Sequence, residues 1–318
     1  MPAVNDKISK TDYNNIRNKV VSVLGTSSTS SPNYGYGQLI QSSAVTESNR
    51  ISVNDIANLR YDIINAWVHI YGSTPALVSV SEGNTIRYNL TTAPVSQFDT
   101  FANSLVADRL TTPPSGQRIT VNKGTTSTTW PGLYGSSWSS LAQCTITATF
   151  SSAERARHFF NSGGLISFAA SQTGGNGTSQ VTAWRNLLAS VGTRSWGGNT
   201  PGTGTSPQDG QNFYRCSNSF SLWYSASASS PYGSNVFRIY ARTPFVTNNS
   251  TGTATTIEFK FEFIDGYTDP GPPAPGDAVD GTFRIAVETL EAFGVMQPIT
   301  AGNFTVESPT LTLGPITS

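Results

Sequence analysis

Hydrophobic residues recur at helical spacing in the first 75 residues of the chain. Two stretches, near residues 9–24 and 52–71, predict amphipathic helices, because apolar side chains three or four positions apart share one helix face. The two stretches repeat each other: Ser9 matches Ser52, 43 positions further on, and the aspartate, asparagine and arginine that follow recur at the same offset. Each serine precedes its aspartate by three residues, which predicts a capped helix start.

The apolar stripe of each predicted helix has to be buried, because helices this short are not stable alone. The two helices could pack on each other, or their stripes could contact a neighbouring subunit. A Tyr-Gly-Tyr-Gly segment between the repeats predicts a tight turn with two exposed or docking rings. The candidate contact residues are therefore Ile16, Val20, Leu24, Tyr34, Tyr36, Leu59, Ile63 and Trp67.

A third helix is predicted near residues 95–110, and two prolines at 113–114 then interrupt the pattern. We place a domain boundary at these prolines. We expect residues 1–112 to form a helical attachment module with an internal repeat, and residues 113–318 to form an antiparallel β domain.

From about Arg118 the hydrophobic period becomes two, which is typical of half-buried strands. The fold class predicted is mainly β with α: the helical module, then an antiparallel β-sandwich with helical inserts at 152–161 and 183–191. The terminal segment 311–316 could add a strand to another subunit. The strands are predicted at 144–150, 165–171, 213–225, 236–246, 256–264, 282–289 and 304–313.

Charge is scarce: only 12% of residues are charged, and the formal net charge is zero. The absence of a basic excess argues against a nucleic-acid partner, and the absence of a long apolar run argues against a membrane span. A surface made of neutral polar side chains suits subunit contacts, where fixed charges are costly to desolvate. Cys144 and Cys216 are expected to be buried free thiols, with a single disulfide as the alternative.

No catalytic or cofactor motif stands out, so we expect no enzyme activity and no cofactor. His69 and His158 fall in predicted helices, where packing roles are the ordinary ones. A Cys144–His158 nucleophile pair has no local signature to support it. The glycine-rich stretches 173–179 and 196–210 lack the lysine of a phosphate loop and are interpreted as flexible surface loops.

Four aspartates cluster around a Pro/Gly-rich segment near the end of the β domain. Turn formation explains them best, because two of them stand directly before glycine. Calcium binding through carboxylates and loop carbonyls is the weaker alternative, and glycoside hydrolysis by two carboxylates the weakest. The aspartates concerned are Asp265, Asp269, Asp277 and Asp280.

Several motifs resemble a known family. They are the repeated Ile-Ser-x-x-Asp helix start, the Tyr-Gly-Tyr-Gly-Gln segment at 34–38, the segment 158–166, Thr-Gly-Gly at 173–175, and Trp184 with the Leu-Leu pair that follows. Together they cover roughly residues 1–200. This part of the chain resembles virion structural proteins of tailed bacteriophages, especially marine phages that infect cyanobacteria.

The resemblance implies a virion component of the tail, neck or fibre, with no catalytic or cofactor residues to carry over. Its partners would be other copies of itself and other virion proteins. One alternative is a carbohydrate-binding receptor-recognition module of a tail fibre, which would bind a host surface glycan through aromatic residues in loops. A capsid decoration protein is a further alternative, and a depolymerase rests only on the aspartate cluster.

Overall fold

The computed structural model describes residues 8–25, 35–36, 40–46, 50–80, 95–109, 118–130, 140–198, 212–268, 279–292 and 308–317. The chain forms two compact units. The helical unit comprises residues 1–119, 157–164 and 291–307, and the β unit comprises residues 120–156, 165–290 and 308–318. The predicted fold class is confirmed, since a helical module precedes two antiparallel sheets with helical inserts. The two predicted domains are continuous stretches of chain that meet at residues 112–113. The helical unit of the structure instead extends to residue 119 and also includes two later segments, 157–164 and 291–307.

The two repeated helices begin as their capping signals predict. Helix α1 spans Lys10–Leu24 and helix α2 spans Val53–Tyr71, each preceded by a serine whose side chain accepts from the third helical N–H. The aspartate at that third position accepts in return from the serine backbone, so both capping boxes are complete. Gly72 ends α2 in the left-handed conformation, with φ of 73°.

The core of the helical unit is formed by α1, α2 and a third helix, α3, at Val95–Asp108. An extended segment at 40–46 is held against the first two helices by hydrogen bonds. The buried carboxylate of Asp62 accepts from the backbone N–H groups of Gln41 and Ser42 at 3.0 and 2.9 Å. Loop backbone therefore completes a core that two helices alone would leave open.

The β unit contains two antiparallel sheets. The order of the first is β1-β8-β3-β4, and the order of the second is β5-β6-β7-β2-β9. The strands are β1 Arg118–Trp130, β2 Ser140–Thr149, β3 Leu165–Thr173, β4 Thr193–Trp196, β5 Ser221–Ser227, β6 Val236–Arg242, β7 Thr256–Asp265, β8 Gly281–Ala292 and β9 Thr310–Leu313.

Aromatic side chains from the two sheets meet in the middle of the β unit. Phe168 of β3 lies 4.7 Å from Phe259 and 5.0 Å from Phe261 of β7, measured between ring centroids. Phe263 of β7 lies 5.0 Å from Phe283 of β8. The phenylalanines of β7 are buried and alternate with charged residues on the opposite face, which is why this strand was predicted so clearly.

Helical inserts interrupt the sheets at α4, Ala153–Asn161, and α5, Ser179–Val191. Helix α5 begins four residues before the predicted start, because the side chain of Thr178 caps it by accepting from the N–H of Val181. The predicted strand at 213–225 is wrong in its first half. Asn212 instead caps a short 3-10 helix, and β5 starts only at Ser221.

The sequence left open that the terminal segment 311–316 could add a strand to another subunit, and in the structure this segment pairs within its own chain. Strand β9 pairs antiparallel with β2 of its own chain, where Thr312 lies opposite Thr147. Beyond the strand, the hydroxyl of Thr126 in β1 donates to the carbonyl of Gly314 at 2.6 Å. The second sheet of the same chain provides the pairing edge, so in this structure the segment has no free strand to donate.

Candidate functional site

A groove of about 540 Å³ lies in the β unit between α5 and the loop that joins β5 to β6. This volume falls within the range of about 300–1,000 Å³ that ligand pockets usually occupy. One wall is a face of α5, and the other wall is the loop at residues 227–232. Both walls belong to the same compact unit.

The helical wall presents small polar side chains at regular spacing. Ser179, Thr182, Asn186 and Ser190 all line the groove, and all are exposed. Their three- and four-residue spacing places them on one face of the helix. The opposite face is apolar and packs into the sandwich, where the buried ring of Trp184 lies 5.3 Å from Phe283. One helix therefore serves both the core and the groove.

The loop wall is equally neutral and is held in a compact form. Its serines at 227, 229 and 230 line the groove together with the ring of Tyr232. The N–H of Tyr232 donates to the carbonyl of Ser229, and the N–H of Asn235 donates to the carbonyl of Tyr232, both at 2.9 Å. Tyr232 is mostly buried and packs against Tyr267, with 4.7 Å between the ring centroids.

A short segment after β7 connects the two walls. The side-chain amide of Gln180 in α5 donates to the buried carboxylate of Asp265 at 2.7 Å. The side-chain oxygen of Asn235 accepts from the N–H groups of Gly266 and Tyr267 at 3.1 and 3.0 Å. Because residues 265–267 hold both the helix and the loop, the width of the groove is fixed by polar contacts beneath it.

The glycine-rich segment before α5 was expected to be a flexible surface loop, and the structure shows that it is pinned. The N–H of Asn176 donates to both carboxylate oxygens of Asp280, at 2.8 and 3.0 Å. Gly175 has a φ of +91° and lies so close to this carboxylate that a Cβ there would collide with it. Arg185 of α5 also donates to the carbonyl of Gly174.

The same contacts keep the one charged side chain of α5 out of the described lining of the groove. Arg185 is the only charged residue in α5, and its guanidinium is turned away toward Gln172, to which it donates at 2.7 Å. None of the described residues that line the groove is an acid or a base. The arrangement can exchange hydrogen bonds with a neutral polar ligand, and it offers neither an ion pair nor a nucleophile with a neighbouring base.

The structure assigns hydrogen-bonding roles to two of the candidate calcium ligands. Asp265 holds Gln180, and Asp280 holds the glycine-rich segment, while Asp269 and Asp277 lie outside the described residues. Within the described part of the chain, no group of three or more histidine, cysteine or acidic side chains is placed to hold a metal ion.

Most of the candidate contact residues lie inside the core of the helical unit. A side chain with no exposed surface in its own chain cannot contact another chain in this conformation. Tyr34 lies outside the described residues, and Trp67 alone in the set is described and partly exposed. The fully or almost fully buried members are Ile16, Val20, Leu24, Tyr36, Leu59 and Ile63.

Tyr36 was expected to present an exposed or docking ring, and the structure excludes an exposed one. Its side chain is completely buried, its hydroxyl donates to the carbonyl of Arg109 at 2.7 Å, and its ring lies 4.5 Å from His69. The preceding Gly35 allows this placement, because a Cβ there would stand 2.5 Å from the carbonyl oxygen of Gly25. Burial raises the pKa of the Tyr36 hydroxyl well above its usual value.

The histidines and cysteines occupy interior positions. His69 is buried and donates from Nε2 to the carbonyl of Ser162 at 3.0 Å, and burial lowers its pKa to about 4. His158 is also buried. Both cysteines are buried free thiols, as expected, and burial raises the pKa of Cys144 and of Cys216 to about 12. A thiol held neutral in this way is a poor nucleophile.

The groove was not predicted from the sequence. A usable signal is present in α5, whose four groove-facing positions are all uncharged polar residues, although exposed helix faces ordinarily carry charge. The loop partner could not be identified in the same way, because serine-rich stretches are common in surface turns.

Comparison with family models, with curated proteins and with solved structures gave no significant match. The resemblance to phage virion proteins therefore stays a prediction. None of the helices in the described ranges has the length and apolar character needed to cross a bilayer.

Proposed function

We propose that this protein is a non-enzymatic structural component of a tailed-phage virion, located in the tail, neck or fibre. Its partners would be other copies of itself and other virion proteins, and the helical unit would provide the attachment surface. The observation that carries the proposal is a cluster of three partly exposed aromatic rings on that unit, formed by Trp67, Tyr71 and Phe101.

The rings of this cluster are close together and fixed in place. Between ring centroids, Trp67 lies 4.1 Å from Tyr71 of the same helix, α2, and 4.6 Å from Phe101 of α3. The Tyr71 hydroxyl donates to the carboxylate of Asp108, which joins the two helices again. Rigid aromatic side chains lose little conformational entropy on association, which is why tryptophan and tyrosine dominate protein-protein contacts.

Surface charge also supports a role in assembly. Charged residues make up only 12% of the chain, and several partly exposed ones are paired within it. Lys19 contacts Asp99, and Arg242 contacts Glu258, both at 2.6 Å. Desolvating such a surface costs less than desolvating isolated charges. Phe245 of the β unit is 84% exposed and is a second apolar contact for lateral packing.

The test compares the full-length wild type with Trp67→Ala and with Tyr61→Ala, a partly buried aromatic on the same helix as a matched control. Sedimentation over a concentration series measures self-association, and incorporation is measured with phage particles assembled without the protein. We expect the wild type to associate or incorporate, Trp67→Ala to weaken this at least about tenfold, and Tyr61→Ala to resemble the wild type.

Circular dichroism would first establish that both variants are folded. A wild-type chain that stays monomeric at every concentration and never joins particles would refute the structural role. If the wild type associates and Trp67→Ala associates equally well, the contact surface lies elsewhere and the aromatic cluster is only part of the fold.

A further inference from the structure

We propose that the groove between α5 and the β5–β6 loop binds a neutral oligosaccharide. The inference goes beyond the structural role, because it concerns a different unit and a different kind of partner. If the proposed function holds, the ligand class would correspond to glycans on the surface of the host.

The hydrogen-bonding groups of the groove match those of a sugar. A sugar hydroxyl both donates and accepts, and it is best met by groups that can do the same. Ser190 already donates to the carbonyl of Leu187 at 2.7 Å, and Thr182 donates to the carbonyl of Thr178 at 3.1 Å. Both hydroxyl oxygens therefore keep lone pairs to accept from a ligand.

Asn186 lies between these two hydroxyls on the helix face and adds the missing donor. Its exposed side-chain amide supplies both an N–H and a carbonyl oxygen, a pair that can contact two neighbouring hydroxyls at once. It makes no side-chain hydrogen bond to the described residues, so the amide is available to a ligand. Along the helical wall, Thr182 thus offers an acceptor, Asn186 offers an amide, and Ser190 offers a second acceptor.

Small apolar surfaces separate the polar groups. Ala183 and Leu187 line the groove beside the hydroxyls, and the Tyr232 ring closes its other side. Pyranose rings carry C–H faces between their hydroxyls and pack on such surfaces, aromatic rings above all. A lining of hydroxyls alone would not distinguish a sugar from bulk water. A purely apolar lining would exclude the sugar, because the hydroxyls of the sugar would lose their hydrogen bonds.

The absence of charge from the described lining narrows the ligand class. Phosphate, sulfate and carboxylate groups are recognised by arginine, lysine or converging backbone amides. Arg185, the one cation in α5, is held by Gln172 and by the carbonyl of Gly174. The groove therefore favours uncharged sugars over sialylated, sulfated or uronic acid glycans.

The groove is also prepared for binding before any ligand arrives. The contacts from Asp265 to Gln180 and from Asn235 to the backbone at 266–267 fix the two walls independently of a ligand. A preorganised site loses less conformational entropy on binding than one that must close, which matters for ligands that bind through many weak contacts.

The test uses the full chain on an array of neutral glucose, galactose, mannose and N-acetylglucosamine oligosaccharides beside sulfated and sialylated forms. Asn186→Trp fills the groove, and Ala189→Trp places the same ring on an exposed position of α5 that does not line it. We expect wild type and Ala189→Trp to bind a neutral oligosaccharide, Asn186→Trp to lose binding, and Asn186→Ala to bind about tenfold more weakly.

Three results would overturn the inference. The first is that the wild type binds no neutral oligosaccharide more strongly than Asn186→Trp does. The second is that it prefers the acidic glycans. The third is that it binds an uncharged serine-rich peptide and no sugar, and that Asn186→Trp abolishes this peptide binding. Trp67→Ala should bind sugar normally and Asn186→Trp should self-associate normally, so failure of this inference and failure of the structural role are distinguishable.

Discussion

Arg17 and Arg60 occupy equivalent positions in the two sequence repeats, and each donates to the backbone of the extended segment that follows its helix. Nε of Arg17 donates to the carbonyl of Ser42 at 3.0 Å. Nε of Arg60 donates to the carbonyl of Val78 at 3.0 Å, and Nη2 donates to that of Leu77 at the same distance. The two repeats are therefore similar in more than their helices, because in each repeat the arginine of the helix also holds the segment that follows it.

Removal of this contact should destabilise the helical unit. Arg60→Met keeps most of the side-chain length and removes the guanidinium, so carbonyl acceptors at 77–78 lose their partner. Since the arginine is partly exposed, we expect a loss of about 1–2 kcal/mol in the free energy of unfolding, measured with urea. Arg50→Met, at an exposed position, is the control and should change stability little. Equal effects of the two variants would contradict this role.

Gln180 should contribute to the stability of the β unit through its contact with Asp265. Gln180→Met removes the side-chain amide that donates to the buried Asp265 carboxylate at 2.7 Å, and we expect a loss of about 1–3 kcal/mol in the free energy of unfolding. Ala189→Ser, at an exposed position of the same helix that does not line the groove, is the control. A loss of glycan binding in Gln180→Met while the protein stays folded would show that the contact also positions the groove wall.

His69 should make the helical unit less stable in acid. Burial lowers its pKa to about 4, from 6.5 in an unfolded chain, so between these values the unfolded chain binds more protons. Stability therefore falls as the pH drops from about 6.5 to 4, by roughly 3 kcal/mol for this group. The raised pKa of Asp62 acts in the opposite direction at the acidic end of this range.

The contribution of His69 is isolated by comparison with His69→Gln, which keeps a donor and cannot become a cation in this range. Urea unfolding of both proteins at several pH values should show a flatter pH dependence for the variant. Parallel curves for the two proteins would mean that His69 is accessible to protons in the folded state.

The two thiols should be inert in the folded protein. Burial raises the pKa of Cys144 and of Cys216 to about 12, and thiolate is the reactive form. Iodoacetamide at neutral pH should therefore label neither thiol until denaturant is added, after which both should react, as counted by mass spectrometry. Labelling of either cysteine under native conditions would show that the structure around that cysteine opens locally.

The parts of the fold that were predictable from sequence are those with a local physical signal. A serine followed three positions later by an aspartate predicted the helix starts at Ser9 and Ser52. The alternation of apolar and charged residues in β7 predicted both faces of that strand. The limits of strand β1 were not predicted, because its threonines, its single serine and its glycine show no regular apolar alternation. The burial of Tyr36 depends on the approach of Gly35 to Gly25, a tertiary contact that no local pattern encodes.

The candidate site was less predictable than the fold for a related reason. Its walls come from segments about 40 positions apart, and the link between them depends on residues 265–267, a third segment. Asp265 and Asp280 were predicted to act together because they are close in the chain. The structure instead uses them in separate hydrogen-bond networks, Asp265 with Gln180 and Asp280 with Asn176.

The pairing of β9 with β2 also has a consequence for biosynthesis. Gln143, within β2, pairs with Thr317, which lies 174 positions later in the chain. During translation, β2 therefore leaves the ribosome long before the segment that covers its edge. In that interval its edge exposes unpaired N–H and C=O groups that can pair with other nascent chains. Newly made chains thus pass through an aggregation-prone stage that ends only when the last strand docks.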